Sequence, residues 1–357
     1  MQTALYANHL AAGANMTDFA GWQLPLNFGS QLQEHRAVRG HAGIFDVSHM
    51  AIWDVRGPDV RAFLRHLLCN DVDRIRQPGG AIYSCLLNEA GGIIDDLIVY
   101  RWADDDFRVI TNAATRNRVG ELLKRHGAGF DVGLEQTAGL SMLAIQGHEA
   151  RRIADGCLSA TLRHSAAQLP VFAAVRDECW QVARTGYTGE DCYEIILPND
   201  DATALWQCLV SQGAQPCGLA ARDTLRLEAG MRLYGADMDE TTTPSDAGLG
   251  WTVAWQPADR AFIGRQALAQ KTESPARWEF AGLVLEQPGV LRAHQAVQVP
   301  GLGEGVITSG GFSPALNRSI AFARLPAGAA QVGVCNIPIR DQVKTARIGS
   351  LRIIPSR

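Results

Sequence analysis

The chain has 357 residues, 46% of them hydrophobic and 20% charged, enough apolar side chains to bury several cores and too many for a disordered polymer. Its 33 basic and 37 acidic side chains leave a formal charge of -4, without the basic field that non-specific nucleic-acid binding requires. No apolar run approaches the roughly 18 residues of a membrane span, and Met1 to His9 carry neither a basic start nor a cleavable apolar stretch, so the expected setting is cytoplasmic, with no nucleic acid and no membrane as partner.

In chain order, strand alternation falls on Ala51 to Val55, Ile82 to Leu87, Ile93 to Trp102, Phe107 to Thr111, Cys179 to Arg184 and Cys192 to Leu197. Helical spacing falls on Val60 to Leu68, Ala202 to Val210 and Arg222 to Met231. Such irregular alternation predicts an α+β fold. After about Arg277 the helical pattern gives way to short strands punctuated by Gly and Pro, as in a small barrel or sandwich. Eight cysteines, at 69, 85, 157, 179, 192, 208, 217 and 335, include no C-x-x-C pair and are expected to be reduced and mostly buried, with no metal site. His35, His41 and His49 match no ligand spacing and read as satisfied or surface histidines, while Gly301 to Gly305 opens no helix and reads as a turn.

Two segments carry most of the chemical information. In Ala81 to Tyr100 two apolar strands flank Glu89-Ala90-Gly91-Gly92, the pattern of a β-hairpin. On its second strand, period two puts Asp96, Ile98, Tyr100 and Trp102 on one face and Asp95, Leu97, Val99 and Arg101 on the other. An even-length turn would bring Tyr83 and Cys85 to the face of Asp96, and an odd one would send them away. Asp95 is read as facing water near the turn; Asp96, beside aromatic rings, has to be hydrated, paired or kept for a ligand. The second segment, Arg184 to Glu194, is a Gly-rich connection that presents Tyr187 and leads into a strand on which Glu194 shares a face with Cys192 and Ile196. That arrangement predicts an inward carboxylate in need of donors. Arg222 and Arg226 stand four apart and can share one side of a helix, although spacing alone favours a solvated helix face.

Together these strings resemble the T-protein family of the glycine cleavage system, the folate-dependent aminomethyltransferases. The resemblance runs end to end through Asp18-Phe-Ala-Gly-Trp22, Gly43-Ile-Phe-Asp-Val-Ser-His-Met50, Gly91-Gly-Ile-Ile-Asp-Asp-Leu97, Arg184-Thr-Gly-Tyr-Thr-Gly-Glu190, Ala221-Arg-Asp-Thr-Leu-Arg-Leu-Glu228, Tyr234-Gly235 with Asp237 to Glu240, and Ile307-Thr-Ser309. Departures from the family pattern fall at His148, at Thr243-Pro-Ser-Asp246 and at Asn317-Arg318.

The resemblance implies an α+β, three-domain cloverleaf around a central folate site. A first domain would join 1–52 with 140–255, a second α+β domain would span 53–139, and a C-terminal β-barrel-like domain, preceded by a short helical linker, would span 256–357. It implies Asp96 as the catalytic acid that contacts folate, and Met50, Tyr83, Ile98, Tyr100, Asn112 and Tyr187 as site walls. Glu194 would anchor the pterin, with Arg222 as a further site arginine. The implied reaction moves the one-carbon unit of an aminomethyl group, held on the dihydrolipoyl arm of a carrier protein (H-protein), to tetrahydrofolate. It yields 5,10-methylenetetrahydrofolate and ammonia, without a metal. Alternatives on the same fold are a folate-dependent demethylase and a non-enzymatic folate-binding iron-sulfur assembly protein. The latter needs a cysteine motif, and Ala261 to Ala267 has none.

Overall fold

A computed structural model describes residues 1–273 and 275–354. Its first half runs α1 (Tyr6–Ala11), β1 (Asn15–Phe19), β2 (Trp22–Asn27), α2 (Gln31–Gly40), β3 (Gly43–Asp46), β4 (Ala51–Arg56), α3 (Val60–Leu67), β5 (Ala81–Leu87), β6 (Ile93–Arg101), β7 (Asp106–Thr111), α4 (Arg116–Gly127), β8 (Gly133–Gln136) and β9 (Leu140–Gln146). Next come α5 (Ala150–Asp155), α6 (Ala160–Ala167), β10 (Ala174–Arg176), β11 (Gln181–Ala183), β12 (Cys192–Pro198), α7 (Asn199–Ser211), β13 (Gln215–Pro216), α8 (Leu219–Ala229) and α9 (Arg265–Thr272). The chain closes with β14 (Trp278–Leu285), β15 (Ala296–Val299), β16 (Gly303–Ser313), β17 (Arg318–Pro326), α10 (Ala329–Val332), β18 (Val334–Ile339) and β19 (Gln342–Gly349). The class is α+β, as the sequence predicts. No helix among the described residues is long and apolar enough to cross a membrane.

The chain falls into two compact units. One comprises Met1–Leu64, Val72–Tyr83 and Leu97–Asp223, and the other Arg65–Asp71, Ser84–Asp96 and Thr224–Arg357. In the first unit a six-stranded sheet, ordered β10-β11-β12-β9-β3-β13, packs one face on α5 and α7. Ile44, Leu143, Ile145, Tyr193, Ile195 and Leu197 of the sheet meet Ile153, Leu205, Trp206 and Leu209 of those helices in one buried core. On β12 period two divides the side chains, so Tyr193, Ile195 and Leu197 go to this core and Glu194 goes to the opposite face.

A second sheet has the order β5-β6-β7-β4-β8. Ile98 of β6 and Ile52 of β4 both pair with Ile110 of β7, and Ala51 pairs with Thr111. Met50 and Asn112 therefore stand side by side just beyond the same end of the β4–β7 ladder.

In the second unit β14 to β19 close into a barrel, which accounts for the Gly- and Pro-punctuated strands after Arg277. Along β17 the inward Ala321, Ala323 and Leu325 fill the barrel, while the outward Ile320 and Phe322 pack on Leu227. The Gly301 region is a turn between β15 and β16, as expected. Asn317 takes a left-handed turn conformation (φ 52°) before β17, a position asparagine tolerates.

The β5–β6 hairpin forms with a five-residue connection, 88–92. Asn88 N–H donates to Gly92 O at 2.9 Å, and Gly92 N–H returns to Asn88 Oδ1 at 2.9 Å. Gly91 sits at φ 81°. A Cβ on Gly92 would lie 1.8 Å from the Glu240 carbonyl oxygen, so a glycine at 92 lets the 234–242 loop close against the hairpin. Five is the odd case: a regular ladder then puts Ser84, not Tyr83 or Cys85, on the face of Asp96.

Two sequence expectations are corrected by the fold. Cys157 and Cys208 are joined by a disulfide, with Cα atoms 5.9 Å apart. They lie 51 residues apart and are brought together only when the chain just after α5 meets α7, so no local spacing could show the pair. Cys69, Cys85, Cys192, Cys217 and Cys335 are free and buried, and Cys179 is free and exposed. Asp95 does not face water. It is 0% exposed, and its strand neighbours on the same face, Leu97 and Val99, are also buried, so that face of β6 points into packed structure.

Candidate functional site

The centre of the first unit is Glu194, a carboxylate with 6% of its surface exposed. Its Oε2 accepts a hydrogen bond from the Thr185 hydroxyl. The Tyr100 hydroxyl lies 2.9 Å from Thr185 Oγ1. Thr185 has a single hydroxyl proton, given to Glu194, so Tyr100 donates to Thr185 and the three form a directed relay. Among the described residues Glu194 Oε1 has no protein partner. Burial pushes the Glu194 pKa up, and Thr185 and the nearby Arg222 cation only partly offset this. Tyr100 is 1% exposed. Burial and the Glu194 charge raise its pKa, so it stays a donor.

Arg222 faces the same acid. Its guanidinium lies over the Tyr187 ring, 4.6 Å from the centroid, and its buried NH1 has no hydrogen-bond partner. Gln146 holds the Tyr187 loop: its Oε1 accepts from Tyr187 N–H at 3.3 Å and from the Thr188 hydroxyl at 2.7 Å. Gln146 Nε2 is buried and unpartnered. Next to Met50, His49 is 4% exposed with an orphaned Nδ1, against the expectation that it would be satisfied or at the surface. Burial and then the Arg222 charge push the His49 pKa down to about 4, with Arg116 adding to the effect, so the ring is neutral. Buried polar atoms are nearly always paired, so orphaned atoms on Arg222, Gln146 and His49 and the open oxygen of Glu194 mark a surface shaped for a polar ligand.

In the second unit Asp96 is half-buried, two residues before Ile98 on β6 and on the same strand face. Tyr234 lies near this acid. Burial, then the charges of Asp95, Glu240, Asp239 and Asp96, push its pKa up to about 12. Arg226 turns away from ligand chemistry: its NH1 pairs with Asp237 Oδ2 at 2.7 Å, and its NH2 donates to Ser309 Oγ at 2.8 Å. The other Asp237 oxygen accepts from Thr308. The sequence reading of α8 as a solvated face therefore fails. Arg226 and Glu228 are buried and Arg222 is half-buried.

Against this geometry, known proteins give a consistent comparison. Residues 5–257 match the model of the GCVT N-terminal domain, and residues 279–353 that of the glycine cleavage T-protein C-terminal barrel domain. The chain belongs to the glycine cleavage T-protein family. It is 52% identical over 344 residues to an aminomethyltransferase of Nitrosococcus oceani, covering 96% of this chain and 92% of that one. It is 51% identical to one of Methylococcus capsulatus, covering 99% and 96%. The solved glycine cleavage system aminomethyltransferase T of Bartonella henselae superposes with a TM-score of 0.91 at 34% identity, covering 100% of this chain and 99% of that one.

Of the site residues expected from the family, the first unit brings together Glu194, Arg222 and Tyr187, and links Tyr100 to them through Thr185. Register groups Met50 and Asn112 at one sheet end, with Ile98 in the rank of Ile110 and Ile52. Tyr83 is half-buried on β5 and enters the set on the family resemblance alone. Sequence reasoning missed Thr185, Gln146 and His49 as site residues. Thr185 and His49 lie inside the quoted family strings, but only a tertiary contact shows what a threonine hydroxyl or an imidazole faces.

Proposed function

We propose that the chain is a tetrahydrofolate-dependent aminomethyltransferase of the glycine cleavage system, working in the cytoplasm on the aminomethylated dihydrolipoyl arm of an H-protein-type carrier. The observation that carries the site assignment is Glu194, a buried carboxylate with one oxygen fixed by Thr185 and the other open. The amino edge of a pterin offers two adjacent N–H donors, which is what a carboxylate in that state lacks. Tyr187, backed by Arg222, supplies a flat wall for the ring. On the family resemblance, Asp96 has the catalytic role: it accepts a hydrogen bond from the folate nitrogen next to the benzoyl ring and stabilises positive charge as it develops there. Met50, Tyr83, Ile98, Tyr100 and Asn112 complete the walls.

The test is ammonia release from an aminomethylated lipoyl carrier with purified protein. Release should require tetrahydrofolate and should yield 5,10-methylenetetrahydrofolate one for one. Turnover of small methylated amines, with no activity on the carrier, would assign the chain to the demethylase branch of the fold.

A further inference from the structure

The first unit holds an arginine that no acid claims. Arg39, Arg108, Arg176 and Arg184 each have a carboxylate oxygen within 3.0 Å. No carboxylate among the described residues lies within 4.0 Å of Arg116. Burial lowers its pKa with no acid to offset the loss. The side chain is nonetheless held in place. Its NH2 donates to His49 O at 2.8 Å and reaches Met50 O at 3.4 Å, and its guanidinium lies 5.1 Å from the centroid of the Trp22 ring. Trp22 is placed by the tight β1–β2 turn, where Ala20 and Gly21 take φ 52° and 80° and Phe19 pairs with Trp22. Phe19 in turn packs edge-on against His49, with ring centroids 5.4 Å apart. Arg116 Nε is buried without a partner, as is Trp22 Nε1.

A fixed cation with spare donors and no counter-ion is prepared for an anion. Arg116 belongs to the site described above, because its charge and that of Arg222 both act on His49 and its guanidinium bonds to the backbone of Met50. Glu194 is buried, whereas Arg116 is half-exposed and lies against Trp22 of a hairpin whose tip, Ala20 and Gly21, is exposed. The pterin and benzoyl groups of tetrahydrofolate carry no negative charge, and its only anionic part is the glutamate tail. We propose that Arg116, braced by Trp22 and by the backbone of His49 and Met50, binds a carboxylate of the glutamate tail of the folate substrate. This assignment rests on the folate reading of the site.

The experiment compares tetrahydrofolate with the primary amide of tetrahydropteroate, in which a neutral carboxamide replaces the glutamyl tail and no carboxylate remains, by titration of the parent protein and of Arg116→Gln. Thermal melting of both proteins serves as the check on folding. The parent should bind tetrahydrofolate about 10- to 100-fold more tightly than this amide, the range of one charge-assisted hydrogen-bonded contact. Arg116→Gln should lose that preference and bind the amide as the parent does. Its transfer rate at saturating folate should hold while KM rises. A preference that survives in Arg116→Gln, equal weakening of both ligands, or equal binding of both by the parent overturns the Arg116 assignment alone. Binding of neither ligand by the parent overturns the folate reading, and the assignment with it.

Discussion

Two buried carboxylates of the first unit, Asp46 and Glu194, have opposite surroundings. Asp46 is saturated: His9 Nε2 lies 2.9 Å from Oδ2, Thr3 donates to the same oxygen at 2.6 Å, and Ser48 gives Oδ1 both its backbone N–H at 3.0 Å and its hydroxyl at 2.6 Å. Burial alone would raise its pKa, but the bonds from His9, Ser48 and Thr3 outweigh that and hold it below the ordinary value. Glu194 has one hydroxyl and the charge of Arg222, and burial wins. A saturated acid spends its hydrogen-bonding capacity on the fold. An under-saturated one keeps part of it for something else, and the difference separates a structural group from a binding group where burial alone does not.

The largest expected effect concerns β6, where two adjacent acids differ in burial, Asp95 being fully buried and Asp96 half-buried. Asp96→Asn should leave the melting temperature unchanged and slow single-turnover transfer about 10²- to 10³-fold, the loss on removing one transition-state electrostatic contact. Asp95→Asn, at a position with no exposed surface, should act mainly on melting. Equal rate losses without a stability difference would show that strand face does not divide their roles.

Next in size is the acid pair itself. Glu194→Gln presents donors to a pterin edge that also offers donors, so tetrahydrofolate should dissociate about 10- to 100-fold more readily. Asp46→Asn should leave that affinity alone and cost about 3 kcal/mol of stability. The pH dependences should have opposite signs. Glu194 folds with its pKa above 4.5, so the folded protein holds the extra proton and stability falls as pH rises through that window. Glu194→Gln should remove this slope in the free protein. Asp46 folds with its pKa below 3.8, so its contribution is present above that pH and is lost as pH falls through the lowered value. Matching slopes in urea titrations of the two variants across the acid range would end the distinction.

Sequence periodicity reaches only part of this. It placed Asp96, Ile98 and Tyr100 on one face, because β6 is a regular strand and period two does not depend on tertiary contacts. It put Glu194 inward for the same reason. It misjudged Asp95, since alternation tells which residues share a face but not whether the second face is covered, and here Leu97 and Val99 show that it is. Arg222 and Arg226 share a helix, yet one stacks on Tyr187 and the other pairs with Asp237. Their spacing is a property of the helix, and their partners come from elsewhere in the chain. The Cys157–Cys208 bond and the role of Thr185 were hidden for the same reason.

The smallest expected effect is also the most direct probe of how Glu194 is held. Thr185→Val keeps the shape of the side chain but removes the hydroxyl between Tyr100 and Glu194. Glu194 then loses its only hydrogen-bond donor among the described residues, and the Tyr100 hydroxyl is left buried without an acceptor, at a cost of about 1 to 3 kcal/mol. Folate affinity should fall less than tenfold, because the carboxylate is still present but no longer aimed. Adding Tyr100→Phe should restore part of the lost stability, since it deletes the stranded hydroxyl, and should leave the affinity defect in place. That split, with stability rescued and binding not, is the signature of a relay whose far end serves packing and whose near end serves the ligand. An unchanged affinity in Thr185→Val would mean that Glu194 is oriented by its strand alone.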